Sequence, residues 1–544
     1  MSKWLVTIHL VLIIFGVSAE EPQYVRYYWD EPGNQTVCDV EGYIRQTALE
    51  FDSKGVAHVL YTHEETDGLR LYYTSNETGE FSDPVPLLLM ETGCQMMESR
   101  IGPDDALHLV WLDETYPDNL WPKGWIRYLK VQDGAVTSNL VLFQHPDGAY
   151  HLSFDLDRSG NVFAVTGLRE QTPTVGRYQK SANHRIVFLR IIDGQVQEPI
   201  IRRFHDNQFD YVNPIIHVSD SGIVYFLTQY WGPPILLTYQ EEEFTKPVPV
   251  TGKLNEKGYP SKMITDQTGD LHIYFSEYDY PQHPLWHTKS TDCGVTFSKP
   301  DLLVNTSERL KFVSQPVILP DNTPFVTTRT MYFTGGRLLC RGYYHLDRGY
   351  GYGNPFDVGG FFGSFPGYDI EPQIRKRSGY KLSALTAYVR RDAQYVYHSQ
   401  LSIENYELQQ FEQPHVLITT IDVYLSVLDW GDRMRVALDI YNPLPEPLEA
   451  DLAIVMEFEG VQNGIYYFFS FDGNQPVLTT DYQTMRLTLP PGWSCQNVPI
   501  FELDVSLLYG IIPGVIWHSY AGLIDPETGL LLGDFSKART RITF

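Results

Sequence analysis

Asp52-Ser-Lys-Gly55-Val-Ala-His-Val is a tight turn followed by an apolar run, and the same phrase returns along the chain. It recurs as Asp104-Asp105-Ala-Leu-His-Leu, Asp157-Arg-Ser-Gly160-Asn-Val-Phe-Ala and Asp220-Ser-Gly222-Ile-Val-Tyr. Asp266-Gln-Thr-Gly269-Asp-Leu-His-Ile and Asp321-Asn-Thr323-Pro-Phe-Val follow, and Arg377-Ser-Gly379-Tyr-Lys-Leu-Ser-Ala is a weaker seventh copy. Aligned at the turn, positions 55, 105, 160, 222, 269, 323 and 379 are 47 to 62 residues apart. Aspartate suits such a turn because its carboxylate accepts backbone N–H bonds two residues on, while glycine supplies a positive φ. A period near 50 residues with strands on both sides of the turn is the pattern of a β-propeller built blade by blade.

The first unit shows the plan. Thr47–Phe51 reads as an inner strand, Val56–Tyr61 as the second, Leu69–Tyr73 as the third and Phe81–Leu88 as the fourth. Four short antiparallel strands with their turns fill one step. The seventh unit runs from Glu371 to about Pro414, with strands expected near Lys381–Tyr388, Tyr395–Leu401 and Leu408–Phe411. Its turn lacks the aspartate, so seven blades is the first reading and six the alternative. A glycine- and aromatic-rich insertion from Tyr343 to Phe365 is too long for a turn, and long loops of this kind are often functional.

After about residue 414 the period stops. Asp422–Leu428, Met434–Tyr441 and Leu452–Phe458 alternate like half-buried strands between Pro- and Gly-rich turns. Residues 415–544 are therefore expected to form a β-sandwich. The fold class is all-β, with a propeller over 41–414 and an N-terminal segment at 20–40.

A chain of 544 residues exceeds one core. Hydrophobic residues at 43% and charged residues at 20% describe a folded protein, and 37 Tyr with 28 Phe favour sheet over helix. The net charge of −26 argues against nucleic acid as a partner, because an acidic surface repels it. Lys3, the apolar run Trp4–Phe15 and the small residues Val17-Ser-Ala19 read as a signal peptide over 1–19. The mature chain is expected to be secreted, periplasmic or on the cell surface, with no membrane span once the signal is cut. Five cysteines in an exported chain leave an odd thiol, and Cys38–Cys94 and Cys293–Cys340 are pairings suggested by proximity of neighbouring units. No cluster with metal-ligand spacing occurs, so neither a metal nor a cofactor is indicated.

Ser290-Thr-Asp292-Cys-Gly294-Val-Thr296-Phe297 resembles the Asp-box of sialidase-like propellers, Ser-x-Asp-x-Gly-x-Thr-aromatic, at every defined position. With the repeat period, the resemblance covers roughly residues 41 to 414. It implies the propeller fold, and it implies a structural rim turn for Ser290, Asp292, Gly294, Thr296 and Phe297. The Phe/Tyr-Arg-Ile-Pro motif of sialidases is absent; Ser99-Arg100-Ile101-Gly102-Pro103 has different flanks. The resemblance thus carries no catalytic residue over to this chain.

His58, His108 and His272 share a slot three residues past the turn, which other units fill with Phe163, Tyr225, Val326 and Leu382. Such a slot reads as packing. The starts of the inner strands are more informative, since ligands of ring-shaped folds sit where these strands converge. Counting about six residues back from each turn gives Gln46, Glu98, His151, Asn213, Ser261, Gln315 and Gln373, all polar. Loops between second and third strands add Asp113, Tyr230, Trp231, Glu277, Arg329, Arg390 and Arg391.

Two function classes follow. The first is a recognition protein for a glycan or an extracellular protein, with Gln46, Asn213, Gln315, Gln373, Tyr230, Trp231, Arg329, Arg390 and Arg391 as ligand-binding candidates. The alternative is a carbohydrate-active enzyme, either a sialidase-like hydrolase or a polysaccharide lyase. It would draw acid/base groups from Glu98, Asp113, His151 or Glu277, with arginines holding the substrate carboxylate. Phosphate loops, nucleophile elbows and His-Glu-x-x-His are missing.

Overall fold

A computed structural model describes residues 27–29, 33–90, 93–115, 123–145, 149–170, 183–203, 214–229, 234–240, 242–251, 258–277, 285–304, 309–313, 316–331, 337–344, 356–357, 361–362, 373–391, 397–410, 415–420, 423–424, 433–442, 444–459, 466–472, 475–479, 482–491, 494–504 and 516–543. For some of these, among them Glu277, Arg329, Arg390 and Arg391, it describes the backbone alone. The expected signal peptide, most of the aromatic insertion and residues 411–414 lie outside that set.

Every described element is a strand, and pairing is antiparallel apart from Val423–Tyr424 beside Leu531–Thr543. The first sheet takes Ile44–Phe51, Ala57–Glu65, Gly68–Ser75 and Val85–Met90 in order. The second takes Gly93–Ile101, Leu107–Thr115, Lys123–Gln132 and Ala135–His145. A third, fourth, fifth and sixth sheet begin with Ala149–Leu156, Ile215–Val218, Gly258–Thr265 and Arg309–Val313, each wound the same way.

The seventh sheet departs from the sequence expectation. Gln373–Ser378 and Lys381–Arg391 pair as foreseen, but Tyr397–Gln410 is one continuous strand rather than two short ones. Its outer neighbours are Tyr27–Trp29 and Gly33–Glu41, so the beginning of the described chain completes the last sheet. The first strands of the first six sheets lie each beside the next, and Gln373–Ser378 of the seventh lies between Val317–Ile318 of the sixth and Ile44–Phe51 of the first.

The turns explain the repeat. Asp52 Oδ1 accepts the N–H groups of Lys54 and Val56 at 2.9 and 2.8 Å, and Asp157 serves Ser159 and Asn161 in the same way. A residue one to three positions after the first residue of the turn phrase has a positive φ in all seven copies. It is Gly55, Gly160, Gly222, Gly269 or Gly379 in five of them, and Asp105 or Asn322 in the other two. Asp and Asn are the side chains that tolerate this region. In the sixth copy the position is thus Asn322, one residue before the Thr323 picked out in the sequence.

Apolar faces pack between sheets. Val37, Leu385 and Leu401 of the seventh sheet meet Ile44, Leu49 and Tyr61 of the first, and Leu60, Leu71 and Tyr73 meet Leu109, Trp111 and Leu129 of the second. Cys38 and Cys94 fall in these two different cores, and both are free, as is exposed Cys293. The disulfide pairings suggested from proximity are therefore corrected: the first sheet stands between Cys38 and Cys94. Burial pushes the Cys38 thiol up to about 11, which keeps it protonated and inert.

Residues 415–543 form two further sheets. His415–Thr420, Arg433–Tyr441 and Ser494–Asp504 make one, and Leu448–Glu459, Ile516–Ile524 and Leu531–Thr543 form the centre of the other. His415–Thr420 lies against Ile516–Ile524 and Leu531–Thr543. Buried Asn442 fixes the proline-rich turn by donating to the carbonyls of Glu446, Leu489 and Pro490 and accepting from Leu444.

Candidate functional site at the starts of the inner strands

Five first strands carry an irregularity at their beginning. Register slips between Ile44 and Thr47, Cys94 and Met96, Tyr150 and Leu152, Pro260 and Lys262, and Leu310 and Phe312. Bulges of this sort re-aim a side chain and are common beside functional sites. Gln46, His151 and Ser261 of the sequence reading stand at three of them. Gln46 is half-buried and donates its backbone N–H to Thr62 Oγ1 at 3.0 Å. His151 has φ of 52°, a left-handed backbone for a non-glycine residue, and burial pushes its imidazole down to about 4. At neutral pH it is uncharged.

Glu98 and Gln373 sit deeper and join neighbouring sheets. Glu98 accepts the Phe154 N–H at 3.1 Å and lies 3.5 Å from Lys262 Nζ, linking the second sheet to the third and the fifth. Gln373 accepts from Leu49 N at 3.0 Å and donates to Thr47 O at 2.5 Å. Asp113, buried near the end of its strand, is paired with Arg127 at 2.6 Å, and that guanidinium lies 4.8 Å over the Trp125 ring. In the loop of the first sheet, Arg45 holds Glu64 at 2.7 Å, while Glu65 accepts from Arg70 and Tyr72.

A level closer to the turns was not read from the sequence. Arg375 reaches Glu50 at 3.1 Å, and Glu50 accepts from Ser99 at 2.7 Å. Arg100 lies 3.5 Å from Asp155, Asp155 binds His217 Nδ1 at 2.8 Å, and His217 Nε2 accepts the Thr265 N–H at 3.0 Å. Lys376 donates to Ile318 O at 2.9 Å. These contacts run from the sixth sheet through the seventh and first to the fifth. Asp155 shows the electrostatics: burial raises its carboxyl, but His217, Arg100 and the Val218 N–H outweigh burial and hold it below the usual range. Glu50 and Asp155 each precede their turn acid by two residues, a spacing open to view in the sequence, whereas Arg100 and His217 precede by two Gly102 and Ser219, which take the acid's place in the backbone bonding of their turns.

Glu277, Arg329, Arg390 and Arg391 lie on strands Leu271–Glu277, Pro324–Met331 and Lys381–Arg391, toward the ends remote from the turns. They therefore share that end of their sheets with Gln46 and His151. Asn213, Gln315, Tyr230 and Trp231 lie outside the described residues. Among the described residues, no group of three His, Cys, Asp or Glu side chains could hold a metal ion.

The histidine slot is more than packing. His58 Nδ1 meets Tyr73 OH at 2.8 Å with Asp52 3.5 Å from Nε2, and His108 meets Tyr128 OH at 2.9 Å with Asp104 at 3.8 Å. His272 joins His287 at 2.9 Å and Asp266 at 3.2 Å. His272 thus ties its turn acid to the third strand, whereas His58 and His108 bond the third strand alone and leave Nε2 near the turn acid without a hydrogen bond. The box at Ser290 closes the hairpin between the third and fourth strands of the fifth sheet. Asp292 accepts from Thr296 N at 2.8 Å, Thr296 Oγ1 at 2.6 Å and Ser290 Oγ at 2.8 Å, which together hold its carboxyl down at about 2. Ser290 Oγ in turn accepts the Gly294 N–H at 2.8 Å.

No protein-family model matches the chain, and no curated protein shows significant similarity to it. Among solved structures, a protein of unknown function from Dyadobacter fermentans is similar with a TM-score of 0.42 and 13% identity, over 70% of this chain and 100% of that one. An ulvan lyase, a polysaccharide lyase, gives 0.40 and 10% over 57% and 78%. The NanB sialidase of Streptococcus pneumoniae gives 0.33 and 13% over 70% and 71%. With TM-scores below 0.5, these likenesses carry no argument about activity.

Proposed function

We propose that the chain is an exported recognition protein whose seven sheets form a seven-bladed propeller of the sialidase-like kind over 41–414. Residues 33–41 complete its last blade, 1–19 act as a signal peptide and 415–544 form a β-sandwich that serves as spacer or attachment module. Its ligand is a glycan or an extracellular protein, received on the face where the inner strands begin. The observation that supports recognition over catalysis is how the acids nearest the axis are used. Glu50, Glu98 and Asp155 each accept from a neighbouring sheet or face its cation, so they hold the sheets together. A glycosidase needs two carboxyls about 5–10 Å apart across one pocket and available for proton transfer.

The enzyme reading keeps one observation in its favour. His151 is neutral at physiological pH and sits on a strained backbone at a bulge, and such strain gathers at active sites. The test is a glycan array run beside fluorogenic sialoside and uronate-polymer turnover assays on the purified mature chain. Recognition predicts saturable binding without turnover. Turnover abolished by His151→Ala or Glu98→Gln would replace the proposal by the enzyme; silence on every sugar would leave a protein ligand.

A further inference from the structure

A groove of about 370 Å³ opens where the seventh sheet, with its outer strand Gly33–Glu41, meets the turn side of the first. It lies at the turn ends of Ile44–Phe51 and Gln373–Ser378, away from the inner-strand starts. Its volume falls in the range of about 300–1,000 Å³ that suits a small ligand. Lys54 and Arg377 border it, with Phe51, Gln35, Asn76 and Asn405.

The charges decide what it would take. The chain carries 67 acidic residues against 41 Lys and Arg, so most cations have an acid to pair with. Yet among the described residues neither Lys54 nor Arg377 makes an ion pair, although Glu77 also borders the groove. Arg377 donates from Nη1 to Asn405 Oδ1 at 3.2 Å, and Asn405 is fixed by Ser383 Oγ at 2.6 Å. That bond orients the guanidinium and leaves other N–H donors unused. Asn76 accepts from Ala57 N at 2.7 Å through Oδ1, which leaves its NH2 group as a further donor. The lip is open: at Gly55 and Gly79 no atom comes within 4 Å of where a Cβ would stand. Unpaired cations, fixed amide donors and one aromatic face are the recognition set of an acidic sugar.

We propose that this groove binds an acidic saccharide, with its carboxylate or sulfate between Lys54 and Arg377 and a sugar ring against Phe51. The proposal rests on the glycan branch of the recognition reading and adds a second site to it. The test is calorimetric titration of the mature chain with a galacturonate tetramer, a sulfated galactose tetramer and neutral maltotetraose. Expected is binding of one or both acidic probes, with no binding of the neutral one. Lys54→Glu, an exposed change that leaves the core intact, and Arg377→Ala should each weaken binding by about tenfold or more. Arg377→Lys should recover part of that loss, and raised salt should weaken the wild type. Whichever acidic probe binds more tightly identifies the anionic group. Acidic-probe binding that survives Lys54→Glu and Arg377→Ala but is lost in His151→Ala would overturn the groove while leaving glycan recognition in place. Failure of every saccharide to bind would overturn both.

Discussion

Replacing Asp266 by alanine takes five hydrogen bonds from one buried carboxylate. Oδ1 accepts from Thr268 N, Thr268 Oγ1 and Asp270 N at 2.9, 2.7 and 2.9 Å; Oδ2 accepts from Asn322 Nδ2 at 3.0 Å and His272 Nε2 at 3.2 Å. The exposed turn donors can turn to water, but His272 is buried and its Nε2 loses its acceptor. Breaking a buried charged network from one side costs about 3–5 kcal/mol. Unfolding entropy of about 2.1 cal/mol/K per residue over roughly 380 residues makes this a fall of about 4–6 °C in the calorimetric midpoint. Asp266→Asn keeps an acceptor for the turn N–H groups, so its deficit should be about half as large. The sign with pH also follows. Burial would raise the Asp266 carboxyl, but the bonds from His272, Thr268 and Asp270 outweigh burial and hold it well below the usual range. A depressed carboxyl stabilises fully above its unfolded value, so the gap between wild type and variant should be constant near neutrality and close as pH falls below about 4. A midpoint within about 1 °C of wild type for Asp266→Ala, or equal losses for Ala and Asn, would refute the relay from turn to strand.

Three further outcomes are expected. Asp292→Ala should lower the thermal midpoint at neutral pH without changing ligand affinity, and its deficit should vanish as pH falls from about 4 toward 2, read by calorimetry and binding titration side by side. Gly294→Ala should cost about 2 kcal/mol in denaturant titration, because φ is +86° there and a Cβ would come within 2.4 Å of Leu236 Cδ2. Asn442→Ala should cost about 3 kcal/mol, since three carbonyls lose their shared donor in a buried turn; its effect should appear in the unfolding of 415–543 and leave saccharide binding unchanged.

The repeat was legible because its turn is a local device. An acid that accepts N–H bonds two and four residues on, followed by a positive φ, leaves a pattern in seven contiguous residues wherever it recurs. The winding of Ile44–Phe51 through Val85–Met90 could be read from that pattern and from alternation. What closes the last sheet could not. Gly33–Glu41 pairs with Tyr397–Gln410 across more than 350 residues, and nothing in either segment names the other. Tyr397–Gln410 also has no glycine or proline to divide it, so the two short strands expected there become one long strand. Disulfide pairing failed for the same reason: adjacency of units does not say which face of a sheet each cysteine occupies.

Reading the site was harder because a polar residue near the axis has two uses that look alike in sequence. Glu98 was singled out as an acid/base candidate and Gln373 as a ligand contact, and both bond to the backbone of a neighbouring sheet. First strands of neighbouring sheets approach one another through their side chains, and their backbone N–H groups at slips and strand ends need acceptors. Side chains of the adjacent strand supply them, so polarity at these positions is required even where nothing binds. His151 differs in kind. It adds a left-handed backbone and a suppressed protonation to its polarity, while Glu50, Asp155 and His217 each bond between sheets. Polarity alone therefore does not distinguish a binding residue from a stitch; the proposals rest instead on the strained backbone at His151 and on the lack of an ion pair at Lys54 and Arg377 among the described residues.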